Sequence, residues 1–140
     1  MKLLNFNVGD DFISVVKDGS YLDLHNNFDF VGYNYAVANN EFQIIFNKAS
    51  EDWASDVKVE NLIFKFAGVL FLKIKGNDST EDPDDEKCLS DIGFCAADLR
   101  NDMEFFLATN EFGDSYDLIF VFQTGQAIKI HSQEVLIEVF

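Results

Sequence analysis

Few residues in this sequence have both the type and the spacing that catalysis or metal binding requires. His25 and His131 are the only histidines, and Cys88 and Cys95 are the only cysteines. The cysteines do not form a C-x-x-C pair, and two distant histidines do not complete a zinc site. Every glycine stands alone, which excludes a glycine-rich phosphate loop, and no G-x-S-x-G sequence occurs. We therefore expect no catalytic residue, no metal site and no cofactor.

The tripeptide Gly113-Asp114-Ser115 resembles the start of the nucleophile block of one esterase family. That block continues with Leu and is completed by a downstream Asp-x-x-His. Here Tyr116 follows, and the residue three positions before His131 is Ile128. Gly, Asp and Ser are all common in turns, so we expect a turn at this position.

The segment 77–86 is strongly acidic and contains the only proline, Pro83. Calcium prefers carboxylate oxygens, but an EF-hand loop starting at Asp78 would place Pro83 where glycine is required and Leu89 where glutamate is required. We predict an exposed loop, with a loose calcium site or a partner contact as the alternatives. Its acidic residues are Asp78, Glu81, Asp82, Asp84, Asp85 and Glu86.

The single tryptophan, Trp53, lies in a polar segment at 49–56 between acidic residues that include Asp52 and Asp56. Tryptophan is common at the energetic centres of protein interfaces, and an acidic surround favours a basic partner. A loop tryptophan that packs back onto its own core is the competing interpretation. The sequence predicts a partner-binding surface made of Asp52, Trp53, Asp56 and the acidic loop 78–86.

The charge balance limits the classes of partner. Asp and Glu number 25 against 10 Lys and Arg, which gives a net charge of −15, and Arg100 is the only arginine. Nucleic-acid binding depends on neutralising phosphates with Lys and Arg, so we expect no nucleic-acid partner. Anionic membrane surfaces are disfavoured for the same reason. A basic protein would be attracted, although the acidity also serves simply to keep an aromatic-rich domain soluble.

The chain of 140 residues is the length of one domain, and we treat residues 1–140 as a single domain. Phenylalanine supplies 16 residues, which predicts a large aromatic core. Along a regular strand, Phe28 and Phe30 at even positions would face one side, while Tyr33 and Tyr35 at odd positions would face the other. This switch of aromatic residues from even to odd positions close to Gly32 predicts a β-bulge. The following Asn39-Asn40 pair predicts a hairpin.

Most of the remaining chain reads as short strands joined by tight turns. Both faces of residues 69–75 are apolar, which is typical of a central strand, and an interruption is expected before it at Ala67-Gly68. Further strands are predicted at 89–95, 116–123, 126–131 and 135–139. The pattern predicts a mainly β protein, an antiparallel β-sandwich or small barrel of about nine short strands with at most one or two short helices.

Two segments fit both a helix and a strand. Residues 11–18 have Asp before the segment and Gly19 after it, which favours a short helix, while the β-branched residues Val15 and Val16 favour a strand. In residues 96–107, Leu99 and Met103 fit a helical stripe, but the second half also reads as a strand. Both alternatives stay open at these two segments.

The thiols and the N-terminal residues indicate a reducing compartment. Cys88 and Cys95 are seven positions apart, which would direct them to opposite faces of a strand and disfavours a disulfide between them. Asn5, Asn7 and Asp10 interrupt any signal-peptide core, and no run approaches the roughly 18 apolar residues of a membrane span. We expect a cytoplasmic protein with free thiols.

The length, the charge and the closing stretch resemble small acidic bacterial immunity proteins of polymorphic toxin systems. The closing stretch consists of a strand at 116–123, a turn at Thr124-Gly125, a strand at 126–130 and a last strand at 135–139. This resemblance implies a non-catalytic protein that binds a toxin domain and blocks its active site. Many such toxins are basic nucleases, which a charge of −15 would complement.

Other functions are compatible with the same sequence. A barrel that binds a small apolar ligand would use Phe28, Phe30, Tyr33 and Tyr35 to line its cavity. A mimic of nucleic acid would inhibit a DNA-binding enzyme, and an enzyme of unrecognised type would need a titratable group in a concave site. Exposed edge strands would also allow two copies of the chain to pair.

Overall fold

The computed structural model describes residues 1–77, 82–105 and 108–140, and it shows a mainly β protein. The strands are β1 (Lys2–Leu3), β2 (Phe6–Val8), β3 (Ser14–Lys17), β4 (Ser20–Asp23), β5 (Phe28–Ala36), β6 (Glu41–Lys48), β7 (Asn61–Lys75), β8 (Leu89–Cys95), β9 (Asp117–Phe122) and β10 (Ala127–Val139). Short 3₁₀ turns lie at Val37–Asn39, Asp52–Ala54, Pro83–Glu86 and Ala97–Leu99.

The strands form two sheets. The larger has seven strands in the order β5-β6-β7-β10-β9-β8, with β1 added in parallel to β10, and the smaller has the order β2-β3-β4. All other pairings are antiparallel, and the larger sheet curls into a half-barrel. The predicted all-β antiparallel fold is therefore confirmed, with ten strands among the described residues where the sequence indicated about nine.

Alternating apolar residues on the large sheet build the core. Phe42 lies opposite Phe66 and Ile44 lies opposite Phe64, so every second position of β6 and β7 faces inward. The Phe64 and Phe120 ring centroids are 5.0 Å apart, and the Phe6 ring of the small sheet approaches Phe64 at 5.5 Å. The small sheet therefore closes the core side of the half-barrel with edge-to-face aromatic contacts.

The bulge and the hairpin predicted around Gly32 and Asn40 are present. The pairing of β5 with β6 shifts between Phe30 and Gly32, and Asn40 adopts the left-handed conformation with φ of 52°. Because of this shift, Tyr33 lies opposite Ile44 and Tyr35 opposite Phe42. The two tyrosines thus return to the core-facing side of the sheet, where both rings pack on Phe42 at the edge of the aromatic core.

Residues 11–18 do not form the short helix that their capping pattern favoured. The Asp11 carboxylate accepts hydrogen bonds from the Ile13 and Ser14 amides, both at 3.1 Å, so it terminates a turn rather than starting a helix. β3 then pairs with β2 on one side and with β4 on the other. The β-branched residues Val15 and Val16 agree with this strand assignment.

Two predicted interruptions do not break their strands. β7 continues through Ala67-Gly68: Gly68 adopts a φ of 67°, and its neighbours Ala67 and Val69 pair with Glu134 and Ser132 of β10. The register shift in this pairing comes after Val69, at Leu70. β10 likewise joins the two strands predicted at 126–131 and 135–139. Residues 97–99 form a 3₁₀ turn, and residues 106–107 of the ambiguous segment lie outside the described residues.

Candidate functional site

An open cleft of about 670 Å³ lies at one end of the large sheet. Its walls come from the start of β5, the end of β6 and the connections before β8 and β10. The Phe30 amide donates to the Lys87 carbonyl at 2.8 Å, which joins the edge of β5 to the chain entering β8, and both residues line the cleft. The lining residues are Asp29, Phe30, Val31, Asn47, Lys48, Ser50, Asn77, Glu86, Lys87 and Gln126.

An acidic 3₁₀ turn, Pro83–Glu86, forms one rim of this cleft. The Asp82 carboxylate caps the turn by accepting a hydrogen bond from the Asp84 amide at 3.0 Å. Pro83 is the first residue of the turn, where an amide hydrogen would have no partner within the turn, so proline loses no hydrogen bond there. Asp84 pairs with Lys87 at 3.2 Å. This hydrogen bond, together with the charges of Asp84, Asp29 and Glu51, raises the pKa of Lys87. Acidic groups from three separate segments, Asp84, Asp29 and Glu51, thus act on the charge of this one lysine.

The segment with Trp53 stands at the same end of the molecule. Residues Asp52–Ala54 form a 3₁₀ turn in which Ala54 is buried, and this side chain anchors the turn. Trp53 itself is 67% exposed, and its Nε1 donates to the Asn26 carbonyl at 2.7 Å. The indole is therefore fixed in orientation while most of its surface faces solvent, and it does not fold back onto the core.

The turn between β4 and β5 connects the tryptophan segment with the chain that follows the acidic turn. His25 Nδ1 lies 2.6 Å from the Leu89 carbonyl and 3.5 Å from Cys88 Sγ, which follow the acidic turn in sequence. On the other side of this turn, the Ala49 amide donates to the Asn27 carbonyl at 2.9 Å, at the start of the tryptophan segment. One short turn therefore holds both the tryptophan segment and the acidic turn.

The residues of the predicted partner surface lie on two separate turns. Asp52 and Trp53 belong to the 3₁₀ turn Asp52–Ala54, whereas Asp82 caps the acidic turn that contains Asp84, Asp85 and Glu86. Of these residues, Glu86 lines the cleft. Asp56 is exposed but follows the buried Ala54, away from the cleft lining. Asp78 and Glu81, which the sequence also placed on this surface, lie outside the described residues.

The neighbouring Cys88 and His25 do not have the electrostatics of a nucleophile and its base. Burial raises the pKa of Cys88, and the negative charges of Asp85, Asp29 and Asp23 raise it further. A catalytic cysteine needs an electropositive surround that stabilises its thiolate. This cysteine is held as a neutral thiol, and both cysteines are free, as expected.

A second polar cluster, on the outer face of β9 and β10, was not predicted from the sequence. Asp117 is fully buried and binds Arg100 through two hydrogen bonds, from Nε at 2.8 Å and from Nη2 at 2.7 Å. His131 Nδ1 lies 3.2 Å from the same carboxylate and 3.0 Å from the Tyr116 carbonyl. The hydrogen bonds to Asp117 raise the pKa of Arg100, whose guanidinium also lies over the Phe71 ring at 4.6 Å.

Two lysines complete this cluster. Lys129 is fully buried and donates to the Leu99 carbonyl at 3.0 Å and to the Asp102 carbonyl, while Lys73 donates to the Asn101 carbonyl at 3.1 Å. These contacts fasten residues 96–105, which we name the strap, onto the sheet. Every buried side-chain nitrogen and oxygen in the described ranges has a hydrogen-bond partner, so the cluster acts as a satisfied structural clamp.

The remaining sequence candidates have structural roles. Phe28 is buried, and Phe30 packs against Phe122 at 4.3 Å between ring centroids, so neither lines an open barrel interior. The Tyr116 amide donates to the Gly113 carbonyl at 2.9 Å, which confirms the turn at Gly113-Asp114-Ser115. Within residues 1–77, 82–105 and 108–140, no group of three or more His, Cys, Asp or Glu side chains is arranged to hold a metal ion.

Over the same described ranges, the structure contains no helix with the length and apolar character needed to cross a membrane. Comparison of this chain with models of protein families, with curated proteins and with solved structures found no match.

Proposed function

We propose that this protein is a non-catalytic, acidic binding protein that recognises a basic protein and acts as an immunity protein or inhibitor of a basic toxin such as a nuclease. The observation that carries the proposal is Trp53, which is 67% exposed and is hydrogen-bonded to the same short turn, residues 25–27, that contacts the chain directly after the acidic turn. An exposed aromatic anchor inside an acidic surround is the arrangement that favours a basic partner.

The charges around the cleft support this choice of partner. Lys48 and Lys87 line the cleft, but Lys48 pairs with Glu60 at 2.9 Å and Lys87 pairs with Asp84 at 3.2 Å. The basic groups at the site are thus neutralised from within the chain, while the protein as a whole carries a net charge of −15. Such a field accelerates encounter with a basic protein at low ionic strength.

Trp53 and the acidic groups should contribute to binding in different ways. Burying the exposed two-thirds of an indole would contribute on the order of 3 kcal/mol at about 25 cal/mol per Å². The acidic groups are exposed, so they govern the association rate and the salt dependence more than the final affinity. Trp53→Ala should therefore weaken binding about 100-fold at any salt concentration, since about 1.4 kcal/mol corresponds to a factor of ten.

The experiment is capture of a partner from lysate of the source organism with the tagged protein, at low and at high salt. The captured partner is then purified, and its affinity is measured for the wild type, Trp53→Ala and an acidic-turn variant carrying Asp84→Asn, Asp85→Asn and Glu86→Gln. A charge-matched control carries Asp98→Asn, Glu111→Gln and Glu134→Gln, three exposed positions that do not line the cleft.

We expect one basic protein to be retained at low salt, with the acidic-turn variant binding more slowly than the charge-matched control. A toxin domain would lose its activity when mixed with the wild type. Equal association rates for the two triple variants would refute the role of the cleft and leave only a general effect of net charge. Failure to capture a basic protein at either salt concentration would count against the inhibitor function itself.

A further inference from the structure

Strand β5 is one end of the strand order of the large sheet, so one of its edges has no neighbouring strand among the residues that the structure describes. The start of this edge is closed by the hydrogen bond from the Phe30 amide to the Lys87 carbonyl. Beyond that bond, in the part of the chain that the structure describes, residues 31–36 have no backbone hydrogen bond outside the β5–β6 pairing. The open edge, as we call residues 31–36, therefore begins where the cleft ends.

The register identifies which backbone groups of the open edge point outward. Phe30, opposite Phe46, directs its amide away from β6 and toward Lys87. Alternation along β6 is unbroken, so the residues opposite Ile44 and Phe42 have the same orientation as Phe30. Those residues are Tyr33 and Tyr35. Their amides and carbonyls are the groups that a further strand would bind.

The side chains of the open edge are unusually permissive for strand addition. Val31, Tyr33 and Tyr35 are 57%, 46% and 40% exposed, and Val37 just beyond them is 74% exposed. Natural edge strands are commonly protected by lysine, by proline or by inward-pointing charges. β5 contains neither lysine nor proline, and its bulge at Val31 precedes the outward groups rather than interrupting them.

We propose that the open edge binds an extended, basic segment of the partner, which adds to the large sheet as an antiparallel or parallel strand beside β5. This inference rests on the proposed function, because it names the binding mode of the same partner. Backbone hydrogen bonds to Tyr33 and Tyr35 would supply affinity, and side-chain alternation would supply specificity. The cleft, which Phe30, Val31 and Glu86 line, adjoins the start of this edge, so the partner segment continues from one to the other.

The two faces of β5 explain why the segment should be basic on one side only. Tyr33 and Tyr35 lie on the core-facing side, where apolar side chains of the added strand would pack. Asp29 and Asn34 lie on the opposite side, and Glu41 is paired with Ala36 on that same side. Alternating apolar and basic residues in the added strand match this pattern. A second copy of the chain would bring another −15 charge, which disfavours pairing between copies.

The test uses an acetylated and amidated peptide of seven residues, Lys-Val-Lys-Val-Lys-Val-Lys, with the ¹⁵N-labelled wild-type protein. Amide hydrogen exchange is measured by NMR with and without the peptide. We expect exchange at the Tyr33 and Tyr35 amides to slow about tenfold at 90% occupancy, because only the unbound fraction exchanges freely. The Asn34 amide, which faces β6, should change little and serves as the internal control.

Two control peptides separate strand addition from attraction by charge. The same sequence with Glu in place of Lys should not bind, and a Lys-Val peptide that is N-methylated on alternate residues keeps its charge but loses one hydrogen-bonding edge. Protection of Tyr33 and Tyr35 by the first peptide alone supports the proposal. Equal binding of the N-methylated peptide, changes confined to the acidic turn, or absence of binding would overturn it.

Other results distinguish this inference from the function on which it rests. If the protein captured from lysate binds without protecting Tyr33 and Tyr35, strand addition is wrong while the inhibitor function stands. If the peptide protects both amides but no basic protein is ever captured, the open edge is a strand-binding site and the inhibitor function is wrong. Protection that rises with protein concentration without peptide would assign the edge to a second copy and overturn the proposal.

Discussion

The ion pair between Arg100 and Asp117 predicts that replacing one residue destabilises the protein more than replacing the other, because the two side chains differ in burial. Asp117 is 0% exposed, whereas the Arg100 side chain is 31% exposed. Removing either group leaves the other uncompensated, but the two remaining charges are not equally costly. In the Asp117→Asn variant, the guanidinium can turn to solvent. In the Arg100→Met variant, a carboxylate stays fully buried with His131 as the nearest remaining partner.

The expected magnitudes follow from this difference in burial. Breaking a buried ion pair by removing one partner costs about 3–5 kcal/mol, and we expect Arg100→Met to lie in this range. For Asp117→Asn we expect about 2 kcal/mol, since the exposed arginine recovers part of its hydration. The double variant Arg100→Met with Asp117→Leu removes both charges and should be more stable than Arg100→Met alone.

The assay is urea unfolding at pH 7 with fluorescence of Trp53 and far-UV circular dichroism as two independent probes. Thermal unfolding provides a check, because a loss of 3 kcal/mol should lower the melting temperature by about 10 °C in a domain of this size. Lys87→Met, which removes a lysine from an exposed pair with Asp84, is the control and should change stability by less than about 1 kcal/mol. If Arg100→Met were no more destabilising than Asp117→Asn, or if the double variant were no more stable than Arg100→Met alone, the assignment of a buried clamp would be wrong.

Two further predictions concern the turns of the small sheet and of β7. Partial burial acts to raise the pKa of Asp11, but hydrogen bonds from a tyrosine hydroxyl, a serine hydroxyl and two backbone amides outweigh it and lower that pKa. A lowered carboxylate pKa stabilises the folded state above the unfolded value of about 4, and this contribution disappears as the pH falls through the folded value. The urea midpoint of the wild type should therefore exceed that of Asp11→Asn at pH 7, and the difference should shrink below pH 4; a constant difference would contradict the linkage. Gly68→Ala should cost about 1–2 kcal/mol in the same assay, because φ is 67° and an added Cβ would lie 2.4 Å from a side chain of β10, whereas Gly76→Ala, with open space around it, should change stability little.

The fold was largely predictable because local alternation and core packing agree. In β6, Phe42, Ile44 and Phe46 alternate with polar or less buried residues, and the structure buries all three. The bulge near Gly32 was visible because it changes this alternation within one strand. The number of strands was harder to predict from the sequence, since β7 continues through Gly68 without losing its pairing. The partner residues in β10 that preserve it are distant in sequence.

The site was only partly predictable because it depends on contacts between distant segments. The residue types at Trp53 and in the acidic turn suggested a surface, but their meeting around His25 and Asn27 follows from the fold. The Arg100–Asp117 pair left a weaker signal, a single arginine and a buried acid at the start of an apolar strand. Of the two alternatives left open at residues 11–18, the strand is correct and the helix is not, because the Asp11 carboxylate caps a turn as readily as it caps a helix.

The central pairing of β7 with β10 has a consequence for how the chain folds during synthesis. Val139 lies opposite Leu62, and the whole of β8, β9 and the strap is translated between these two residues. The meander β5-β6-β7 can pair as soon as it leaves the ribosome, but β7 then waits as a long apolar edge until the last strand arrives. Closing such a non-local pairing is slow, and an unpaired edge is vulnerable to aggregation meanwhile. Translation rate and chaperone access over the interval between β7 and β10 should therefore govern the yield of this protein more than its final stability does.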